Sequence, residues 1–312
     1  MKGPLFYSKI LLFGEYGIIK DSKGLSIPYN FYNGALKIEG KDSAEAQKSN
    51  ASLKRFAVFL ETLQKEQPEL VTFDLETLNK HLEEGMYFDS TIPQGYGVGS
   101  SGALVAAIYD RYANDKITVL ENLTRDKMLH LKKIFGQMES FFHGKSSGLD
   151  PLNSYLSIPI LINSQDNIET TGIPSQSTTG KGAVFLLDSG IVGETAPMVS
   201  IFMESLKEQG FRDMFKKEFA QYTDACVDNF LHGDFKSLFS NTKKLSKVVL
   251  SHFKPMIPEQ FHSVWQKGID TNDYYLKLCG SGGGGYILGF TEDLEKAKKS
   301  LEGHKLEVVY QF

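Results

Sequence analysis

A mixed α/β fold in two halves is predicted by three features of the 312-residue chain. It opens on an apolar, strand-like run at residues 5–13. It closes on strand, glycine loop, strand, helix and strand across residues 274–310. Between these ends, apolar residues recur mostly at helical spacing. The length suits two domains or one large one. No internal repeat or low-complexity linker parts the halves, so they are expected to pack on each other with the site between them.

The elements follow in order. Residues 5–13 read as a strand and residues 21–24 as a turn. Residues 26–39, with Tyr and Phe alternating with polar side chains, read as more strand. Residues 41–50 are polar, a loop or an exposed helix start. Residues 53–65 carry helical spacing through Phe56, Phe59, Leu60 and Leu63, and Pro93 with the following glycines breaks the chain. Residues 103–112 are apolar nearly all round, which predicts a buried helix. Residues 125–142 form an amphipathic helix with a stripe of Met128, Leu131, Phe135, Met138 and Phe142. Residues 183–188 are a short strand opening the second half. Residues 195–269 are mostly helical, with breaks at Gly210, Gly233 and Pro255. Strands at 274–279, 286–290 and 306–310 and a helix at 293–302 complete the chain.

Composition narrows the function classes. Hydrophobic content of 41% and charged content of 23% are ordinary for a soluble globular protein. A net charge of −4 offers no electrostatic footprint for nucleic acid and suits an anionic membrane surface poorly. No apolar stretch approaches the ~20 residues of a membrane-spanning helix. The two cysteines, Cys226 and Cys279, are too few for a disulfide framework, so a reducing cytoplasm is the expected compartment. Arginine is scarce, at Arg55, Arg111, Arg125 and Arg212, which limits bidentate clamps on a phosphorylated substrate.

The sharpest local signal is Gly95, Tyr96, Gly97, Val98, Gly99, Ser100 and Ser101, followed at once by the buried helix. Alternating glycines free the backbone to curl, and the helix points its N–H groups and positive dipole end at the curl. Such a loop suits a polyphosphate. It is not a Walker A loop, since no Lys precedes the Ser pair, nor a dinucleotide fingerprint. Its plain alternative is a glycine-rich turn before an ordinary helix, and that of Ser101 is an N-cap. Glu139 sits in the last turn of its helix, where the dipole disfavours a carboxylate, and that misfit points to a cation nearby. Its plain alternative is a solvated Glu on a helix edge. Asp150 follows a Ser-Ser-Gly-Leu loop able to present a carboxylate to a cleft, and precedes Pro151, which also suits an N-cap. Residues 280–285 match the dinucleotide pattern formally, but a strand follows them, so no helix N-terminus faces a pyrophosphate.

Four segments, in order and spacing, resemble the GHMP small-molecule kinases over nearly the whole chain. They are Ser8-Lys9-Ile-Leu-Leu-Phe-Gly14-Glu15-Tyr16, the 95–101 loop, Glu139-Ser-Phe-Phe-His143-Gly-Lys145-Ser-Ser147-Gly-Leu-Asp150, and Lys277-Leu-Cys-Gly280-Ser-Gly-Gly-Gly-Gly285-Tyr. The resemblance is closest to the mevalonate kinases. It implies a two-domain fold, with a mixed α/β ATP-binding domain over 1–180, a helix-rich ferredoxin-like α/β domain over 181–312, and the active site in the cleft between. ATP and Mg²⁺ are the implied cofactors. Asp150 is implied as the base or orienter of the attacking hydroxyl, with Lys9 as its partner. The 95–101 loop would hold the nucleotide, with Ser101 and Glu139 on Mg²⁺. Glu15, Tyr16, Lys145, Ser147, Gly280 and Ser281 would line the acceptor site. His143 reads as a structural, hydrogen-bonded histidine and Cys279 as a small buried hydrophobe.

The implied acceptor is the primary alcohol of mevalonate. Tyr16 stands where mevalonate kinases have His, and Gly102 where they have Ala, and both lean toward the phosphomevalonate kinases. Lys145 stands in place of Asn, Ser146 in place of Pro and Pro151 in place of Asn. An added Lys near Asp150 suits an anionic acceptor, through the carboxylate of mevalonate or the phosphate of phosphomevalonate. A non-catalytic ligand sensor of the same fold is the rival from another class, and the related decarboxylases fit poorly. No nucleic-acid or membrane partner is expected, and a homodimer is left open.

Overall fold

In the computed structural model, the structure describes residues 4–20, 22–38, 43–118, 123–177 and 179–312. Asp21, Glu39, Lys41 and Asp42, which fall in the predicted turn, strand end and polar stretch, lie outside the described residues. The chain divides into two compact units, both discontinuous in sequence. One comprises Met1–Lys9, Pro28–Pro93 and Gly99–Ile158; the other comprises Ile10–Ile27, Gln94–Val98 and Pro159–Phe312. Strands β1 (Phe6–Phe13) and β2 (Gly24–Lys37) each run from one unit into the other.

In the first unit, helix α1 (Ala44–Glu66) starts at a Ser43 cap that accepts from the Ala46 N–H, so the polar stretch before residue 53 is helix rather than loop. Its buried face runs Leu53, Phe56, Ala57, Leu60 and Leu63. Helix α2 (Leu75–Glu83), capped by Asp74, and strand β3 (Tyr87–Ser90) follow. β3 pairs antiparallel with the end of β2, Gly34 opposite Ser90 and Lys37 opposite Tyr87. Helix α3 (Ser100–Tyr112) is buried on nearly every side, as its sequence predicts, and starts three residues earlier than its apolar run. Helix α4 (Arg125–His143), capped by Thr124, and helix α5 (Leu149–Leu156) complete the unit. α3 packs on both α4 and α5. Tyr109, Phe135 and Tyr155, one from each helix, meet edge to face at 5.0–5.5 Å between centroids.

The loop entering α5 is set by close backbone approach. Gly148, the residue before α5, has φ +73°, and a Cβ there would lie 2.0 Å from the Lys132 carbonyl oxygen on α4. Only glycine meets both demands.

In the second unit, the start of β2 pairs antiparallel with β4 (Ile160–Ser164), and β4 with β5 (Asn167–Thr170), in the order β1-β2-β4-β5. Strand β6 (Ala183–Asp188) precedes α6 (Thr195–Ser205), α7 (Gln209–Met214), α8 (Ala220–Leu231), α9 (Phe235–His252) and α10 (His262–Thr271). Gly210 lies inside α7, and the break expected there falls at residues 206–208. Then come β7 (Tyr275–Leu278), β8 (Tyr286–Thr291), α11 (Leu294–Ser300) and β9 (Leu306–Gln311). The four strands β6–β9 form an antiparallel sheet in the order β7-β8-β6-β9. With helices after its first and third strands, this is the ferredoxin-like arrangement, made helix-rich by five helices in the first connection. Central β6 is fully buried from Ala183 to Leu187. Buried Trp265 donates its indole N–H to the Ser246 hydroxyl at 2.8 Å. Among the described residues no helix is long and apolar enough to cross a membrane, and Cys226 and Cys279 are buried and unbridged.

Two glycine substitutions separate backbone strain from collision. Gly144 has φ +72° and ψ −52°, outside the left-handed helical basin, and open space around it, so Gly144→Ala should cost backbone strain alone, about 1–3 kcal/mol. Gly148→Ala adds the collision with α4, and its loss in urea unfolding should exceed about 3 kcal/mol. Equal losses at the two positions would contradict the close packing of this loop.

Candidate active site

The first unit gathers one group of the residues singled out by sequence. Lys9, in the middle of β1, is 3% exposed, and its Nζ lies 2.9 Å from Asp150 Oδ1. Asp150 is the second residue of α5, and its side chain is 39% exposed. Gly99, with φ +83°, caps α3 and lies against the lysine stem: a Cβ there would sit 3.0 Å from Lys9 Cγ. The first turns of α3 and α5 touch at Gly102, where a Cβ would meet the Asp150 carbonyl carbon and the Pro151 nitrogen at 2.8 Å. Neither Ser101 nor Asp150 is an N-cap. Gly99 and Gly148 hold those positions and make no side-chain cap bond. The N–H groups of the first turn of α3 have no partner within the helix.

Ser101 instead donates its hydroxyl to Glu139 Oε1 at 2.9 Å, and Ser146 donates its own to Glu139 Oε2. His143 Nε2 lies 3.0 Å from Ser101 Oγ. When Glu139 is ionised and takes the Ser101 proton, His143 Nε2 is the donor, which leaves one lone pair on Ser101 Oγ. Glu139 is 4% exposed, not the solvated side chain of the plain alternative. Burial, reinforced by the Asp150 charge, pushes its carboxyl up to about 7, against the opposing effects of the Ser146 and Ser101 hydroxyls and the Lys9 charge. Lys145 and Ser147 are exposed on the loop between α4 and α5, where Ser147 Oγ accepts from the Leu149 N–H at 3.4 Å.

These oxygens fit a small hard cation. Neighbouring ligands of an octahedral Mg²⁺ with bonds of 2.0–2.1 Å stand about 2.9 Å apart. Ser101 Oγ and Glu139 Oε1 stand 2.9 Å apart, hydrogen-bonded to each other, so the two oxygens are close enough to share one ion. Among the described residues no cluster of three or more His, Cys, Asp and Glu side chains forms a metal cage. One carboxylate and one hydroxyl, completed by substrate oxygens, is the donor set Mg²⁺ accepts.

The second unit holds the other group. Gly95 and Gly97 have φ +75° and +78°. The Gly95 carbonyl accepts from the Gly193 N–H at 2.9 Å and the Tyr96 carbonyl from the Tyr286 N–H at 3.3 Å, while Val98 is buried. Glu15 Oε2 pairs with Lys277 Nζ at 2.6 Å, both side chains nearly fully buried. Tyr16 donates its hydroxyl to the Ser281 carbonyl at 2.6 Å, and burial followed by the Glu15 charge raises its proton affinity well above the usual phenol range. Gly280 and Ser281 open the loop between β7 and β8, and the strand follows this loop as the sequence predicts.

Three members escaped the sequence reading of function. His143 lies four residues after Glu139 on α4, which puts both on one helix face. Ser146 departs from a family Pro, and its hydroxyl is what reaches Glu139. Lys277 is a lone cation in an otherwise apolar, buried strand, a signal for a buried counter-charge.

Residues 59–157 match the family model of the GHMP kinases N terminal domain. No curated protein sequence matches the chain. Among solved structures, L. major mevalonate kinase in complex with R-mevalonate is 17% identical with a TM-score of 0.62, over 99% of this chain and 97% of that one. Streptococcus pneumoniae phosphomevalonate kinase is 13% identical with a TM-score of 0.60, over 98% of both chains. Lactococcus lactis galactokinase complexed with galactose is 12% identical with a TM-score of 0.61, over 98% of this chain and 92% of that one. At these identities the likeness is one of fold.

A buried carboxyl with raised proton affinity favours the folded state only while protonated. Its contribution is complete below the unfolded value near 4.5 and is lost as pH rises through about 7. In EDTA, the wild-type chain should therefore lose stability between pH 5 and 8. Glu139→Gln should remove on the order of 2–3 kcal/mol of that loss. Denaturant unfolding at the two pH values reads the difference, and identical pH dependence in both proteins would contradict the assignment.

Proposed function

We propose that this chain, which carries a GHMP kinase N-terminal domain at residues 59–157 and has the GHMP kinase fold throughout, is an ATP- and Mg²⁺-dependent kinase of a small-molecule alcohol. The observation that carries the reading is the Lys9–Asp150 pair beside the uncapped start of α3. Phosphoryl transfer is chiefly positioning and charge neutralisation. The 95–101 loop and the first-turn N–H groups of α3 supply backbone donors for phosphate oxygens. Ser101 and Glu139 would hold Mg²⁺, which neutralises charge on the phosphates.

Asp150 accepts the proton of the attacking hydroxyl or orients it, and the Lys9 ammonium beside it holds the carboxylate in place and lowers the hydroxyl pKa. The alcohol oxygen forms a bond to the γ-phosphorus as the bond from that phosphorus to ADP breaks. Burial of Lys9 fixes its ammonium in place, while the partial exposure of Asp150 leaves its carboxylate open to an acceptor.

The acceptor we propose is the primary hydroxyl of mevalonate. The four motifs support it, as does the exposed Lys145, five residues before Asp150, which suits an anionic acceptor. A second reading, phosphomevalonate, draws on the same lysine, since an ammonium serves a phosphate as well as a carboxylate.

Asp150→Asn should lower kcat by about 10²–10⁴-fold while a fluorescent ATP analogue binds within about twofold of wild type. Near-normal kcat in this variant would overturn the mechanism. Glu139→Gln should raise the Mg²⁺ concentration for half-maximal rate, and an unchanged Mg²⁺ requirement would remove Glu139 from the metal site.

A further inference from the structure

We propose that Tyr16 and the Glu15–Lys277 pair position the phosphate-binding loop instead of contacting the acceptor. The inference rests on the reading of residues 95–101 as the nucleotide loop. Tyr16 is 6% exposed, and its one hydroxyl hydrogen goes to the Ser281 carbonyl at 2.6 Å. Its ring packs against Phe202 and Phe253 at 4.6 and 6.0 Å. Its backbone is left-handed, φ +60°, a conformation that an aromatic residue keeps only where its surroundings fix it. Next to it, Glu15 Oε2 meets Lys277 Nζ at 2.6 Å, and the same ammonium donates to the Leu278 carbonyl at 2.8 Å. Two buried polar links thus fasten the 14–16 turn to the 277–281 segment.

That segment and the glycines that continue it to β8 press on the phosphate loop at its adjacent residues Tyr96 and Gly97. A Cβ on Gly97 would lie 2.6 Å from the Cys279 carbonyl oxygen, so these backbones are in contact. A Cβ on Gly285 would lie 2.5 Å from Tyr96 Cα, and the Tyr286 N–H donates to the Tyr96 carbonyl at 3.3 Å. Tyr96 and Tyr286 also meet edge to face at 5.0 Å. Packed backbones without intervening side chains transmit small displacements, because no rotamer can absorb them. Releasing the Ser281 carbonyl frees Cys279 and Gly280, and Gly97 loses the surface that sets its curl.

The test is Tyr16→Phe in the full chain, which keeps the ring in its aromatic cluster and removes only the hydroxyl. Glu15→Gln with Lys277→Met is a second variant that removes both charges together, so that neither is left buried alone. Binding of a fluorescent ATP analogue with Mg²⁺ is measured directly, and KM for ATP and for the acceptor by ADP release. Both variants should weaken analogue binding and raise the KM for ATP by about five- to tenfold, with the acceptor KM within about twofold. A rise in acceptor KM alone, or unchanged analogue affinity in both variants, would overturn the proposal. Lost stability without a nucleotide effect would also overturn it. Analogue binding to the wild-type chain without turnover of any acceptor would contradict the transfer reading and leave this test intact. No analogue binding to the wild-type chain would overturn the nucleotide loop and the clamp together.

Discussion

A lysine ammonium buried in the middle of a strand is the constraint on which the first unit is arranged. Lys9 is 3% exposed, and a charge so placed must be met by an opposite one. Asp150 meets it from the first turn of α5, where the helix dipole also favours a carboxylate. Holding that carboxylate in place requires α3 and α5 to touch at Gly102, and the loop before α5 to lie on α4 at Gly148. The charge pair, the two helix starts and the glycine contacts are therefore one structural decision, and they bring an uncapped helix N-terminus beside a fixed ammonium.

Glu139 is the second departure from what folding alone would choose. A carboxylate near the end of a helix, buried and close to Asp150, is unfavourable, and its two hydroxyl partners and the Lys9 charge only partly offset this. Groups kept under such conditions cluster at functional sites. Its oxygen and the Ser101 hydroxyl, 2.9 Å apart, are close enough to share one small hard cation. A divalent ion would relieve the misfit by supplying the charge that the surroundings withhold from the carboxylate.

Legibility in the sequence followed the strength of local signals. The terminal β-β-α-β run was readable because its strands are short apolar blocks bounded by glycines and the Asp293 cap. α3 was readable from its unbroken apolar composition, though its first turn, Ser100 to Gly102, carries no such signal. α2, β3, β4 and β5 were not readable. They are short, and β3 and β5 are mixed in polarity and take their form from pairing with β2 and β4. In the site, Lys9, Ser101, Glu139 and Asp150 came from motif order, and the structure brings them into one connected group. Lys277 as the partner of Glu15 is a long-range pairing between residues 262 positions apart, which local pattern does not encode.

The most direct measurement of the central claim is ADP release from ATP·Mg²⁺ by the wild-type chain and Asp150→Asn, with mevalonate, phosphomevalonate, homoserine and galactose offered in turn. The account expects ADP release that depends on mevalonate and is lost in the Asp150→Asn protein. Turnover confined to phosphomevalonate would keep the transfer chemistry and overturn the proposed acceptor. Bound ATP with no turnover on any of the four, or turnover undiminished in Asp150→Asn, would contradict the account.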